Sequence, residues 1–92
     1  MVLDDKVEKA VAGDEEALTD ALRLAAPDVR ASLMGKIGPH WRSMLEPDDV
    51  LQVTFLEAFL RIRDFKPSGP GSFVAWLRRI AENNLRDAIR GL

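Results

Sequence analysis

The chain has 92 residues, which is enough for one small hydrophobic core and too few for two. Hydrophobic residues make up 47% and charged residues 30%, a composition that excludes a disordered tail. Charged residues interrupt every apolar stretch, so neither a membrane span nor a signal peptide is expected. The absence of cysteine excludes disulfides, thiol catalysis and cysteine-bound metal, and it suits a reducing cytoplasm.

The net charge of −2 is unevenly distributed along the chain. Residues 1–60 carry twelve acidic and six basic side chains, whereas residues 61–92 carry three acidic and seven basic ones. An acidic body with a basic end indicates two surfaces that suit different partners.

Capping and breaking residues predict three short helices and a turn in the first half of the chain. In these predictions, Pro27 either ends the second helix or takes the first position of the third. The helices run from Asp4 or Asp5 to Gly13, from Asp14 to Pro27 and from Asp28 to about Lys36, and residues 40–46 form the turn.

A fourth helix is predicted to begin at Pro47, and its apolar residues cover more than one core-facing stripe. Either this helix is central and packed on several sides, or one side is left free for a partner. The apolar residues are Val50, Leu51, Val53, Phe55, Leu56, Phe59, Leu60 and Ile62.

A loop at residues 66–71 contains two prolines and two glycines, and Ser72 is then predicted to cap a last helix that runs to about Arg90. No strand pattern appears anywhere. The predicted fold class is therefore all-α, a compact bundle of about four helices.

The last helix carries a polar row opposite an apolar side. Arg79, Asn83, Arg86 and Arg90 lie within about 60° of one another on a helix of 100° per residue. Such a row suits phosphates and base edges. The alternative is an ordinary solvated face, supported by pairs such as Glu82 with Arg86.

Three aromatic residues lie near the predicted loop. Phe65, at the loop edge, is the best candidate for an exposed platform on which a base could stack. Phe73 and Trp76 are spaced as core residues of the last helix.

An enzymatic function has little support. His40 is the only histidine, there is no tyrosine, and no glycine-rich phosphate loop is present. His40 follows Gly38 and Pro39, which is typical of a turn residue. A binding module without metal or cofactor is predicted, and an enzyme built around His40 is the weakest alternative.

Three segments together resemble region two of bacterial RNA polymerase sigma factors, above all the small extracytoplasmic-function (ECF) group. In that family a D-x-V-Q-x-x-F-x-x-A segment precedes a D-x-F turn and an F-x-x-W-L-x-R-I-A-x-N helix. The D-x-V-Q-x-x-F-x-x-A segment corresponds here to Asp49–Ala58 in SMLEPDDVLQVTFLEAFLRIRDF, the turn to Asp64-Phe65, and the helix to Phe73–Asn83 in GSFVAWLRRIAENNLRDAIRGL. The preceding GDEEAL resembles the family's entry into its first conserved helix, so that the resemblance covers about residues 12–92.

The resemblance implies two sets of site residues and no catalytic, metal or cofactor site. Docking on the β′ clamp helices of core RNA polymerase is implied for Asp48, Asp49, Gln52, Phe55, Leu56 and Phe59. Capture of a flipped non-template base of the minus-ten promoter element is implied for a loop pocket of Phe65, Lys66, Ser68 and Ser72. A DNA face on the last helix is implied for Trp76, Arg79, Asn83, Arg86 and Arg90.

The resemblance also implies a monomer in the bacterial cytoplasm, away from the membrane, and an anti-sigma factor as a further partner. Such factors normally have a second domain with a helix-turn-helix, so we expect residues 1–92 to be a single domain of a longer factor. The alternative is a free-standing protein of one domain. The alternative function is a small helical interaction module, such as an adaptor or antitoxin, whose arginine row meets an acidic partner.

Overall fold

The computed structural model describes residues 2–92 and shows four α-helices. They are α1 (Val2–Val11), α2 (Glu15–Lys36), α3 (Pro47–Arg61) and α4 (Ser72–Arg90), with a 3₁₀ turn at Ile62–Asp64 after α3. No strand occurs among residues 2–92. The predicted all-α bundle of about four helices is confirmed.

A tight turn joins α1 to α2. Gly13 adopts a φ of 111°, which suits glycine, and the Asp14 carboxylate accepts a hydrogen bond from the backbone N–H of Ala17 at 3.0 Å. The predicted break at Gly13 and cap at Asp14 are thus confirmed. Asp4 and Asp5, expected as caps, instead lie in the first turn of α1, where their charges favour the helix dipole.

The second and third predicted helices form one continuous helix, so the expected break at Pro27 was wrong. Pro27 lies inside α2 on its exposed side, where water can reach the carbonyl group that loses its hydrogen bond. The buried face continues across this position from Ala25 to Val29. Because α2 packs against all three other helices, that burial offsets the cost of about 3 kcal/mol for an interior proline.

The hydrophobic core is centred on α2. Every helix contributes buried apolar side chains to it, among them Val7, Leu22, Val29, Leu33, Leu51, Ala58, Phe73, Leu77 and Leu85. Thr54 is the buried polar residue within this core. Its hydroxyl donates to the Val50 carbonyl at 2.8 Å and accepts from the Asn84 amide at 3.2 Å, which ties α3 to α4.

The start of α4 differs by one residue from the prediction. Gly71, with a φ of 82°, is the N-cap, and Ser72 is the first residue of the helix. The Ser72 hydroxyl accepts a hydrogen bond from the backbone N–H of Ser68 at 3.2 Å. Ser72 therefore holds the loop closed instead of capping the helix.

Among the described residues 2–92, no helix combines the length and the apolar character that crossing a membrane requires.

Candidate functional site

One side of α3 is free of the core. The buried side of the helix carries Val50, Leu51, Thr54 and Ala58. Opposite it lies an exposed surface that we call the α3 face, in which Leu56 is 62% and Leu60 85% exposed. The α3 face consists of Asp49, Gln52, Val53, Leu56, Phe59 and Leu60. α3 is therefore not packed on all sides, and binding of a partner to its exposed side stays a prediction.

The predicted polymerase-binding residues are not equally available on α3. Asp49, Gln52, Leu56 and Phe59 are exposed, whereas Phe55 is half-buried against the core. Asp48 is exposed, but its carboxylate accepts a hydrogen bond from the Arg30 guanidinium of α2 at 2.8 Å. Sequence reasoning left Val53 and Leu60 out of the site, although their helical spacing around Leu56 places them on the same side.

A groove of about 260 Å³ lies beside the α3 face, between α3 and α4. Met44, Leu45, Val53 and Ala88 form much of its apolar lining. The carboxylates at its rim belong to Glu46, Asp49 and Asp87. Sequence reasoning did not predict this groove, because it is assembled from two stretches of the chain, residues 44–53 and 84–88, that are about 30 residues apart.

The loop between α3 and α4 forms a pocket of about 270 Å³ with the first turns of α4. We call it the loop pocket. It brings together six predicted site residues, with Asp64 and Ala75 beside them. The six are Phe65, Lys66, Ser68, Ser72, Trp76 and Arg79.

Phe65 is buried, so the expectation that it is the exposed aromatic residue was wrong. Only 7% of Phe65 is accessible to solvent. Its ring lies 4.8 Å from the Trp76 ring and meets the Phe73 ring edge-on at 5.8 Å, which removes it from water. Trp76 is half-buried and therefore offers the more accessible aromatic surface in the pocket.

The polar row on α4 is exposed along its whole length. Arg79, Asn83, Arg86 and Arg90 all face solvent, and we call them the α4 row. The opposite side of the helix buries Phe73, Leu77, Ile80, Ala81 and Leu85. Arg79 belongs to both the row and the loop pocket, so the two form one continuous surface.

Two side-chain contacts involve residues of the α4 row. The Arg86 guanidinium donates a hydrogen bond to the Asn83 side-chain carbonyl at 3.3 Å. Arg90 lies 3.7 Å from the Asp87 carboxylate. Both contacts are exposed, so each is worth only a fraction of a kcal/mol.

Glu82 pairs with α2 instead of with Arg86, its expected partner. The Lys36 ammonium donates a hydrogen bond to the Glu82 carboxylate. This hydrogen bond is the main reason why the pKa of Glu82 lies below its ordinary value, and the charges of Lys36, Arg86 and Arg78 lower it further. This contact brings Lys36 next to α4, although it lies 46 residues before Glu82 in the sequence. No local sequence signal indicates such a contact.

Comparison with known proteins supplies the family. Residues 27–92 match the family model of sigma-70 region 2, which is more than half of the chain. The chain belongs to the sigma-70 region 2 family. It is also 35% identical over 88 residues to the ECF RNA polymerase sigma factor SigD of Mycobacterium bovis and to that of Mycobacterium tuberculosis. This similarity covers 96% of the chain but only 41% of the length of each relative. No solved structure matches the chain.

The match to sigma-70 region 2 spans the α3 face, the loop pocket and the α4 row. The match confirms the resemblance that the sequence motifs indicated. Membership of the sigma-70 family places this domain among transcription initiation factors, which are not enzymes. α1 and the first half of α2 precede the residues that match the sigma-70 family.

His40 has no part in these surfaces of the sigma domain. It is exposed in the turn before α3, and its ring meets the Trp41 ring edge-on at 4.8 Å. The turn prediction is confirmed. Residues 2–92 contain no group of three or more His, Asp or Glu side chains that could hold a metal ion.

Proposed function

We propose that this domain binds core RNA polymerase through the α3 face, and recognises and opens the minus-ten promoter element with the loop pocket and the α4 row. The observation that carries the proposal is the continuous surface from the pocket to the row, within the residues that match sigma-70 region 2. The named relatives, which are RNA polymerase sigma factors, support it.

The polymerase part of the proposal rests on the α3 face. Val53, Leu56, Phe59 and Leu60 are large apolar side chains that are 43–85% exposed on one side of a single helix. Contiguous exposed apolar surface of this kind marks an interaction site. Gln52 and Asp49 supply polar groups around Leu56, as in interfaces with an apolar centre and a polar rim. The proposed partner is the pair of clamp helices of the β′ subunit.

The DNA part rests on geometry that suits one single strand. A base that leaves the stack can enter the loop pocket, where Trp76 offers an aromatic surface and Lys66 and Ser68 are exposed. The adjoining phosphates can then follow the α4 row from Arg79 to Arg90, a distance of about 16 Å along the helix. Contacts in the pocket and along the row offset the cost of unstacking, so that strand opening needs no catalytic step.

Several further expectations depend on this function. The domain is expected to act as a monomer in the bacterial cytoplasm. An anti-sigma factor is an expected partner, and covering the α3 face would suffice to keep polymerase away. Because the relatives are more than twice as long, we expect recognition of the minus-thirty-five element to lie outside residues 1–92.

The experiment that tests the proposal measures both partners separately. Gel filtration with a fragment containing the β′ clamp helices should show co-elution. Fluorescence anisotropy with a labelled non-template minus-ten strand should show binding at low salt. A protein that binds neither would instead be the interaction module considered above, with its arginines directed at an acidic protein.

A further inference from the structure

Glu82 is a carboxylate of α4 on which three cations act, namely Lys36, Arg78 and Arg86. Glu82 follows Arg78 by four residues and precedes Arg86 by four, so both lie on neighbouring turns of its side of the helix. The last turn of α2 adds the Lys36 ammonium, which is hydrogen-bonded to the Glu82 carboxylate. The Lys36 and Glu82 side chains are 47% and 30% exposed, so solvent and ligands can reach this pair.

The charge on Glu82 persists at neutral pH. The hydrogen bond from Lys36 lowers the pKa of Glu82 below 4.5, and the charges of Lys36, Arg86 and Arg78 lower it further. The carboxylate is therefore ionised at neutral pH. Lys36 is hydrogen-bonded to it, so a phosphate must compete with the carboxylate for this ammonium group.

We propose that Glu82 limits the affinity of this surface for nucleic-acid backbone, because it neutralises Lys36 and places a negative charge beside the α4 row. This inference rests on the proposed function. It assigns a role to Glu82 and Lys36, neither of which is among the predicted site residues. The ligand is the phosphodiester backbone, regardless of base sequence. As a result, binding by the isolated domain depends on base contacts in the loop pocket and not on charge alone.

Counterion release gives the size of the effect. Each phosphate that a protein neutralises on duplex DNA steepens the logarithmic salt dependence of affinity by about 0.9. Glu82→Gln releases Lys36 and adds about one such contact. When salt is raised from 50 to 200 mM, the duplex affinity of both proteins falls. The factor by which it falls should be about 3.5 times larger for the variant than for the wild type.

The experiment uses four proteins and four labelled DNA probes. The proteins are the wild type, Glu82→Gln, Lys36→Gln and the double variant. The probes are a minus-ten sequence and a scrambled sequence, each as a single strand and as a duplex. Binding is measured by fluorescence anisotropy at 50 and 200 mM salt, and circular dichroism verifies that each variant is helical.

A matched control separates a local effect from a change in net charge. Asp20→Asn changes the net charge by the same amount and also breaks a Lys–carboxylate pair between helices, that of Asp20 with Lys6 at 3.1 Å. Asp20 lies 16 residues before Lys36 in α2, which is about 24 Å along the helix axis. Its substitution should leave DNA affinity within about twofold of the wild type at either salt concentration.

The variants should act in opposite directions. Glu82→Gln should raise affinity about three- to tenfold at 50 mM salt, equally for minus-ten and scrambled probes. Lys36→Gln should lower it, because Glu82 is left unpaired, and the double variant should return close to the wild type. If the wild type binds the single strand but Glu82→Gln does not exceed it, the inference is wrong and the proposed function stands. If no variant binds any probe, both are wrong.

Discussion

Asn83 and Arg86 form a hydrogen-bonded pair in the middle of the α4 row. The guanidinium of Arg86 has only donors, so the Asn83 atom that faces it is the carbonyl oxygen, and the N–H donors of the Asn83 amide remain available. Arg86 also lies in the last two turns of α4, where a cation favours the helix dipole. We therefore expect Asn83 to contact a base and Arg86 to contact a phosphate.

Substitution of each residue should give a different signature. Arg86→Ala should weaken binding by a similar factor for every sequence and reduce the salt slope by about one unit. Asn83→Ala should leave the slope unchanged and reduce discrimination at one promoter position by about 1–3 kcal/mol. Titration against single-base minus-ten variants at two salt concentrations measures both effects. A uniform loss of affinity in Asn83→Ala would mean that Asn83 only positions Arg86.

The Lys36–Glu82 pair should make stability depend on acid pH. Because the pKa of Glu82 is lowered in the fold, its contribution is present above the ordinary value of 4.5 and is lost as pH falls through the lowered pKa. The difference in melting temperature between the wild type and Glu82→Gln should therefore be constant from neutral pH to about pH 5, and should shrink below pH 4.5. Thermal denaturation across this range measures it, and a difference that grows on acidification would contradict it.

At the residue scale, local signals predicted positions better than partners. The 100° helical increment was enough to place Arg79, Asn83, Arg86 and Arg90 on one exposed side of α4. It was not enough to show that Glu82 contacts Lys36, because that contact depends on how α2 packs against α4. The burial of Phe65 was missed for the same reason, since its ring is covered by aromatic residues of another helix.

The helices α3 and α4 are joined by a buried hydrogen bond. Thr54 is fully buried, and its hydroxyl is the acceptor for the Asn84 amide. Thr54→Val keeps the shape of the side chain but removes this acceptor, and should lower the free energy of unfolding by about 1–2 kcal/mol. Urea denaturation followed by circular dichroism measures the loss. A change of only a few tenths of a kcal/mol would show that the bond contributes little to the packing of α3 on α4.

The α3 face can be tested without disturbing the core. Leu56 is 62% exposed and Gln52 is exposed, so the double substitution Gln52→Ala with Leu56→Ala should leave the helical circular dichroism spectrum intact. It should weaken binding to the β′ clamp fragment in gel filtration or calorimetry, because an apolar contact at the centre of the face is removed. A matched control is Leu24→Ala, which truncates a leucine of α2 that is 51% exposed and lies outside the α3 face.

The two leucine variants distinguish the possible outcomes. Loss of clamp binding in the α3 variant alone would support the α3 face as the binding surface. Equal losses in both variants, or unchanged binding in the α3 variant, would remove the polymerase role from α3.

Helix existence followed from the sequence, whereas some helix boundaries did not. Asp14 and Pro47 correctly marked the starts of α2 and α3. Pro27 failed as a stop signal, because packing on three other helices outweighs a local penalty. Ser72, the predicted cap of α4, lies one residue inside the helix, because Gly71 takes the N-cap position.

For the whole molecule, the charge distribution constrains DNA binding. The net charge is −2, and the basic residues concentrate in residues 61–92, where the loop pocket and the α4 row lie. The acidic remainder repels a duplex that approaches from other directions. Within the row, Arg90 lies 3.7 Å from the Asp87 carboxylate, which offsets part of the charge that Arg90 offers to a phosphate.

The isolated domain should therefore prefer the single non-template strand over a duplex of the same minus-ten sequence. Only about three or four cations of the α4 row and the pocket can reach phosphates, which gives an expected salt slope of about −2 to −3 for single-stranded DNA. A duplex keeps its bases stacked, so the loop pocket stays empty and the charge contacts alone must support binding. Anisotropy titrations of both probes at several salt concentrations measure the preference and the slope. Equal affinity for the two probes would show that the surface recognises only the backbone, and the melting role would have to be abandoned.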